Sequence, residues 1–294
     1  MMKKLKKIEV LRILLNDNIE ILRCPVCKNT IKTINENSLV CENNHCFNIS
    51  KKGYINLLKN NAKTIYDKSL FESRSKIYDE KIYENLSREI IDIVGKYSGN
   101  KDINYVLDTG CGEGYYLNQL YLEEKINKKC KLFGIDISRE GISFATRHEN
   151  DILWSVSDLS NLPFKNSKFD IILDILSPSN YREFTRVLNK DGVVIKVVPE
   201  EHYLKEIRSE IKENIKKYTY SNKDIINAFK DNLDIAYDKR ITYKTTTSNL
   251  EDFIKMTPLT SSLSKEQINE LIKSNIKTIT IDLRVIVGKI KESI

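Results

Sequence analysis

The sequence predicts an α/β protein: a mostly parallel, doubly wound sheet with antiparallel strands at its C-terminal edge, preceded by a small metal-binding segment. Three observations carry this prediction. Short β-rich runs (VLDTG, KLFGIDI, ILWSVSD, FDIILDIL and GVVIKVV) alternate with helix-like stretches, the pattern of parallel strands joined by helical crossovers. Two later runs, LDIAYDKRITYKTTT and KTITIDLRVIVGKI, alternate like strands that pair antiparallel at one edge of the same sheet. Four of the six cysteines and one of the three histidines fall between Leu22 and Phe47.

Taken in order, the chain of 294 residues is long enough for about two domains with a substantial core. At its start, Ile8, Leu11, Leu15, Ile19 and Leu22 recur at helical spacing, so an amphipathic helix is expected. Glu9 and Arg12 interrupt the apolar run, which is a poor export signal. No apolar run approaches the roughly 20 residues that span a bilayer. The expected setting is therefore the cytoplasm, with no membrane association, where clustered cysteines more often bind metals or act as thiols than form disulfides. Residues 1–62 are read as the N-terminal helix and metal module, 63–98 as connecting helices, and 99–294 as the α/β domain. The net charge is +7, and about six of those charges lie in the first 80 or so residues. From Asn43 to Tyr66 the chain carries Lys51, Lys52, Lys59 and Lys63 and no acid. Such asymmetry favours a polyanionic partner at this end, against the plainer reading of a solvated lysine-rich surface.

The cysteine segment reads Cys24-x2-Cys27, thirteen residues, Cys41-x3-His45. Two close ligand pairs at the ends of a hairpin can close a tetrahedron, and thiolates with an imidazole and no open position suit structural Zn²⁺. A segment this small has little core of its own, so metal binding would supply its folding energy. Cys46 competes with His45 for the fourth position, since neighbours on a strand face opposite ways. A redox Cys-x-x-Cys is the alternative, but nothing here places the pair at a helix start after a strand.

Tyr105 to Tyr116, YVLDTGCGEGYY, is a strand, an acid, and then Gly110, Gly112 and Gly114 opening a helix. Glycines let the backbone turn sharply and approach a ligand, and the helix start behind them offers free N–H groups. Dinucleotide-binding loops have a longer spacing, Gly-x-Gly-x-x-Gly. The tighter loop, preceded by Asp108 to hold an amino group, favours S-adenosylmethionine on a Rossmann-like sheet. Asp136, ending the second strand, is placed to accept both ribose hydroxyls. Asp158, with Leu159 beside it after the third strand, is placed to reach the adenine. Each acid alone could be a turn residue or helix cap; their order together makes the cofactor reading. Cys111 is read as a small filler.

At this point the chain resembles a known family. The cysteine segment, KKGYINLL after it, GCGEGYY, LPF, SP after the fourth strand and MTP near the C-terminus are similar, in that order, to the large-subunit (23S) rRNA guanine-N1 methyltransferases of the RlmA type, including tylosin-resistance relatives. The resemblance runs from about Arg23 to the final strand. It implies methylation of a guanine N1 in a 23S rRNA hairpin near the peptide exit tunnel. By position it implies Cys24, Cys27, Cys41 and His45 as zinc ligands, and Tyr83, Tyr116 and Leu117 as cofactor contacts. A further cofactor-contact position after the fifth strand, a histidine in some members, aligns with Tyr203, with His202 next to it. Asp174 stands where the family often has Asn or Arg.

The implied reaction needs an acceptor for the guanine N1 proton. Asp174 is a candidate for that role or for hydrogen-bonding the guanine edge, while Ser177 and Pro178 would wall in a base flipped from its stack. Lys51, Lys52, Tyr54 and Lys59 would contact the RNA, unless Tyr54, Ile55, Leu57 and Leu58 instead pack the module onto the next helix. A homodimer is possible. The competing readings are a small-molecule methyltransferase and a catalytically inactive RNA-binding protein of the same fold.

Overall fold

The computed structural model describes residues 5–35, 37–59, 67–99, 101–212, 221–257, 260 and 263–291. Lys63, Tyr66, Pro258 of the MTP motif and the point where residues 62 and 63 meet lie outside these. The first helix, α1 (Lys7–Asn16), is shorter than its apolar spacing suggests. It stops in Asn16-Asp17-Asn18, side chains that compete for backbone hydrogen bonds; Asn18 Nδ2 donates to the Leu14 carbonyl at 2.7 Å. Leu11 and Leu15 are buried, and Ile19–Ile21 form a separate 3₁₀ turn.

The cysteine segment folds as a three-stranded antiparallel sheet, β1 (Ile31–Ile34), β2 (Ser38–Cys41) and β3 (Cys46–Asn48). A two-residue strand follows, β4 (Ile55–Asn56), and it leaves the segment: it pairs parallel with β7 (see below) in the large sheet. Tyr54, Ile55 and Leu57 are buried there. Tyr54 therefore packs in the core and has no face free to stack on RNA, while Lys51, Lys52 and Lys59 are exposed.

Two helices come next, α2 (Lys68–Asp79) and α3 (Glu84–Tyr97). Then the α/β winding begins: β5 (Asn104–Thr109), α4 (Tyr115–Leu122), α5 (Glu124–Asn127), β6 (Cys130–Asp136), α6 (Arg139–Ala145), β7 (Leu153–Val156), β8 (Phe169–Ile175), α7 (Tyr181–Val187) and β9 (Leu188–Pro199). The C-terminal part adds α8 (Lys205–Lys212), α9 (Lys223–Asn232), β10 (Leu233–Thr246), α10 (Leu250–Met256), α11 (Lys265–Lys273) and β11 (Thr278–Ile290). The eight-stranded sheet has the order β10-β11-β9-β8-β5-β6-β7-β4. Strands β4 to β9 pair parallel, and β11 and β10 pair antiparallel at one edge, as the sequence predicts.

Alternation along the strands supplies two cores. Val106, Leu132, Ile171 and Ile195 face one layer with α2, α3 and α4. Leu107, Phe133, Ile172 and Val194 face the other, which includes Leu11 and Leu15 of α1, Cys24, Leu39, Cys41 and Phe47. The metal segment is thus part of one face of the sheet. Strand order reverses between β5 and β8, because the chain winds outward through β6 and β7 and then returns. Ligands of such sheets bind at the carboxyl ends of the strands at this reversal.

Gly114 serves the core. It caps α4 at φ +75°, and a Cβ there would meet the Trp154 indole at 2.3 Å. Gly99 shares the positive φ, +55°, with nothing within 4 Å. Gly114→Ala should therefore cost about 2–4 kcal/mol of unfolding free energy by denaturant titration, from backbone strain plus overpacking. Gly99→Ala should cost about 1 kcal/mol.

Candidate functional site

Two constellations can be built from the residues upward. In the first, Cys24, Cys27, Cys41 and His45 bring their ligand atoms within 4.8 Å of one another. Cys27 Sγ lies 3.7 Å from Cys41 Sγ, and His45 Nδ1 lies 3.7 Å from Cys24 Sγ and 3.4 Å from Cys41 Sγ. A tetrahedral zinc with Zn–S bonds of about 2.3 Å spaces its ligands by about 3.7 Å, so the set fits Zn²⁺. Each pair sits on a tight turn. Lys28 (φ 67°) closes the first, with its amide on the Cys24 carbonyl at 2.9 Å, and Asn44 (φ 60°) closes the second on Cys41 at 2.9 Å. Cys46 is exposed on β3 and lies outside this set, whereas His45 is part of it.

The second constellation is a cavity of about 880 Å³ at the carboxyl ends of β5 to β9, at the upper end of ordinary ligand pockets of about 300–1,000 Å³. Its approach depends on Gly110, φ +74°, where a Cβ would stand 2.7 Å from that of Ser177. Of the residues singled out from the sequence, Tyr83, Asp108, Gly110, Gly112, Tyr116, Asp136, Asp158, Leu159, Ser177, Pro178 and Tyr203 line it. Gly114, Leu117 and Asp174 do not. Leu117 is fully buried behind the loop. Asp174 is also fully buried, accepting from Ser177 Oγ and Ser179 Oγ at 2.5 Å each, with Lys196 Nζ at 2.9 Å. Tyr203, not His202, faces the cavity, with its hydroxyl 2.7 Å from that of Tyr83.

The walls differ in charge. Asp108 is 2% exposed, and among the described residues its carboxylate takes no hydrogen bond. Burial, then the negative charges of Asp136, Asp174 and Glu113, push its carboxyl well above the usual range. Burial also raises Asp136, against the amides of Ser138 and Gly112, which donate to it at 2.7 and 2.8 Å. Asp158 Oδ1 accepts from the Ser160 amide at 2.8 Å. Glu113 Oε1 and the Tyr116 hydroxyl are buried without a partner among the described residues. A carboxylate-rich wall with unfilled acceptors suits a cationic ligand, and S-adenosylmethionine carries both an ammonium and a sulfonium. The opposite wall, from β9 onward, presents Lys196, Tyr203 and Arg208.

Several lining residues escape sequence reasoning. Phe71, Arg74 and Tyr78 come from one face of α2, at spacings of three and four; Arg74 pairs with Glu113 at 3.2 Å, and Tyr78 stacks on Tyr115 with centroids 3.9 Å apart. Lys196 left a signal, a lone charge in the apolar run GVVIKVV. Met256 and Thr257 of the MTP motif also line the cavity.

The two constellations share one segment. Asp158 and Leu159 line the cavity, while Asn161, two residues on, donates to the Pro25 carbonyl at 2.8 Å and accepts from Lys28. The Arg23 amide donates to the Pro163 carbonyl at 3.0 Å, and the Arg23 guanidinium approaches Glu183 at 3.5 Å. The first zinc turn is thus fastened to the cavity rim. Metal analysis should find one zinc per chain in the parent protein and in Cys46→Ser, with His45→Ala and Cys27→Ala losing it; chelation should lower the melting temperature of the whole chain, because Cys24 and Cys41 lie in the core beneath the sheet.

Among the described residues no helix is long and apolar enough to cross a membrane. Two family models match the chain: a methyltransferase domain over residues 100–275 and an RlmA N-terminal zinc ribbon over residues 22–64. The chain is 34% identical over 275 residues to the Bacillus subtilis (strain 168) protein named "Putative 23S rRNA (guanine-N(1)-)-methyltransferase YxjB", covering 92% of this chain and 98% of that one. It is 27% identical over 191 residues to the Streptomyces fradiae 23S rRNA (guanine(748)-N(1))-methyltransferase, 64% of this chain and 67% of that one. Among solved structures, the YcgJ protein of Bacillus subtilis aligns with a TM-score of 0.49 and 17% identity, over 70% of this chain and 100% of that one. With a zinc ribbon and an S-adenosylmethionine-dependent methyltransferase domain joined in the same order, this chain belongs to the 23S rRNA guanine-N1 methyltransferase family of the RlmA type.

Proposed function

We propose that the chain transfers a methyl group from S-adenosylmethionine to N1 of a guanine in a 23S rRNA hairpin near the peptide exit tunnel. The observation that carries this reading is the shared segment from Asp158 to Phe164, which borders the cavity on one side and holds the first zinc turn on the other. A polyanion gripped by the metal module would present its base to the cavity without spanning a gap. Residues up to about 62 act as the recognition module, with the exposed Lys51, Lys52 and Lys59 meeting phosphates.

When bound, S-adenosylmethionine supplies an activated methyl for in-line displacement by the base nitrogen. The protein's own task is then positioning, for which alignment of two reactants accounts for about 7–11 kcal/mol of barrier. In this reading Asp108 holds the ammonium group, Asp136 the ribose hydroxyls, and Asp158 and Leu159 the adenine. Gly110 and Gly112 let the backbone close on the ligand. Tyr83 and Tyr203 form the floor, and Tyr116 offers its unpartnered hydroxyl. Ser177 and Pro178 wall the acceptor base. Asp174 is a positioning residue, since both its oxygens are engaged in pinning the loop after β8. Flipping the base costs a few kcal/mol, recovered in the cavity.

Asp108→Asn should raise the S-adenosylmethionine dissociation constant at least about tenfold by calorimetry, the loss of one charge-assisted hydrogen bond. Asp108 must be ionised to hold an ammonium, and its folded carboxyl lies above the usual range. Affinity in the parent protein should therefore decline on acidification sooner than an exposed aspartate would dictate, and Asp108→Asn should flatten that decline. Primer extension on 23S rRNA from cells with and without the gene tests the reaction, because an N1-methyl blocks pairing and stops reverse transcription. A single stop in a hairpin, present with the gene and absent without it, is the expected result. Methylation of free metabolites with no rRNA stop would replace this reading by a small-molecule methyltransferase.

A further inference from the structure

The strand β9 carries an anomaly: within Val193-Val194-Ile195-Lys196-Val197-Val198 an ammonium group lies inside the sheet, 3% exposed. Lys196 is in register with Asp174 on β8, with Nζ 2.9 Å from Asp174 Oδ2 and donating to the Ser177 carbonyl at 2.5 Å. Two apolar residues here would be as stable or more so, because desolvating an ion pair offsets most of its attraction. Packing therefore does not explain the pair. An ammonium has three donors, and among the described residues two are taken. Lys196 lines the cavity, which leaves its third donor for whatever occupies that end.

The cavity's ends are chemically distinct. Asp108, Asp136 and Asp158 close the β5, β6 and β7 end, and Lys196 lies across β8 from them. Asp174 on β8 is paired with Lys196, and Asp108 on β5, Tyr203 and Arg208 beyond β9, and Tyr83 at the start of α3 line the same cavity. Arg208 donates to the Glu201 carbonyl at 3.2 Å, and Arg74 is engaged by Glu113. Of the lining cations, Lys196 is the one carried on a strand and clamped on two sides.

We propose that Lys196 is a catalytic residue: its ammonium, held by Asp174 and the Ser177 carbonyl, donates to O6 of the acceptor guanine and stabilises the negative charge the base carries once N1 has lost its proton. This rests on the guanine-N1 reading above. The N1–H bond breaks, the proton leaves to solvent, and its electron pair is shared between N1 and O6. That pair then forms the N1–CH₃ bond as the C–S bond breaks, with the C–S pair staying on sulfur; the products are neutral S-adenosylhomocysteine and an uncharged methylated base. Lys196 keeps its protons throughout. A fixed cation aimed at developing charge in a water-poor site is worth far more than the same contact in solvent.

The test is single-turnover methyl transfer to unmethylated 23S rRNA, followed from neutral to alkaline pH, for the parent protein, Lys196→Met, Lys196→Arg and the double variant Asp174→Asn/Lys196→Met. The double variant removes both buried charges together, so misfolding of Lys196→Met alone does not end the test; zinc content and the thermal melting transition report folding. Lys196→Met and the double variant should lose about 100-fold or more at neutral pH. Their rising alkaline limb should move up by about one pH unit or more, Lys196→Arg should keep part of the rate, and cofactor affinity should be unchanged. A rate loss uniform across pH, an unchanged rate, or loss of rate together with cofactor affinity would overturn the proposal. A parent protein that leaves guanine N1 unmethylated overturns the underlying reading instead, and that arm is read before any variant is compared.

Discussion

Where the strand order reverses, two stretches of backbone must pass in near contact: the glycine loop after β5 and the loop after β8. The distance is set by the absence of a side chain at Gly110, since a Cβ there would collide with Ser177 at 2.7 Å. Everything around the cavity is referenced to this approach. Ser177 Oγ donates to the Thr109 carbonyl at 2.8 Å, which ties the second loop to the tip of β5. Lys196 and Asp174 then clamp the same loop from β9 and β8. Three strand ends, those of β5, β8 and β9, are tied through this one loop, and the Gly112 amide holds Asp136 at the tip of β6 to the glycine loop.

The result is a cavity with opposite walls. Carboxylates crowd the β5 to β7 side; burial lifts both Asp108 and Asp136 above their usual titration range, and Asp108 also faces the negative charges of Asp136, Asp174 and Glu113. Such a wall stores electrostatic strain that a cation relieves. Across β8 the sign changes, with Lys196 and Arg208 among tyrosines. A cationic donor and an electron-rich base would separate themselves between these walls with little conformational work by the protein.

The zinc ribbon solves a different physical problem. Its three short strands cannot bury enough surface to fold alone, and its tetrahedral ligand set replaces the missing core. It does not stand apart as a bead. Leu39 and Phe47 enter the core on one face of the sheet, β4 extends the sheet itself, and Glu183 joins Arg23 of the ribbon to the Leu162 amide and Arg186. The ribbon is consequently rigid relative to the cavity rim, a requirement for any module that must deliver a target to within ångströms.

The local devices were readable in the sequence because each is written in adjacent residues. Cys24-x2-Cys27 and Cys41-x3-His45 fix their own turns; Asp108 with Gly110 and Gly112 follows directly from a strand; alternation and apolar runs identify the parallel strands and the antiparallel edge. Tertiary structure decided what depends on distance through space. Gly114 and Leu117 share the glycine-loop neighbourhood yet do not line the cavity: Trp154, forty residues on from Gly114, stands where a Gly114 Cβ would be, and Leu117 is fully buried. Asp174 read as a proton acceptor or a partner for the guanine edge, but Lys196 reaches it from the next strand and Ser177 and Ser179 fold back on it. Tyr54 was open to RNA contact as well as to packing until β4 added itself to the sheet and buried it. Spacing along the chain determines which groups can act together within one turn or strand; which side of the sheet closes over them, and which charges they then face, is settled by packing between elements that no local pattern encodes.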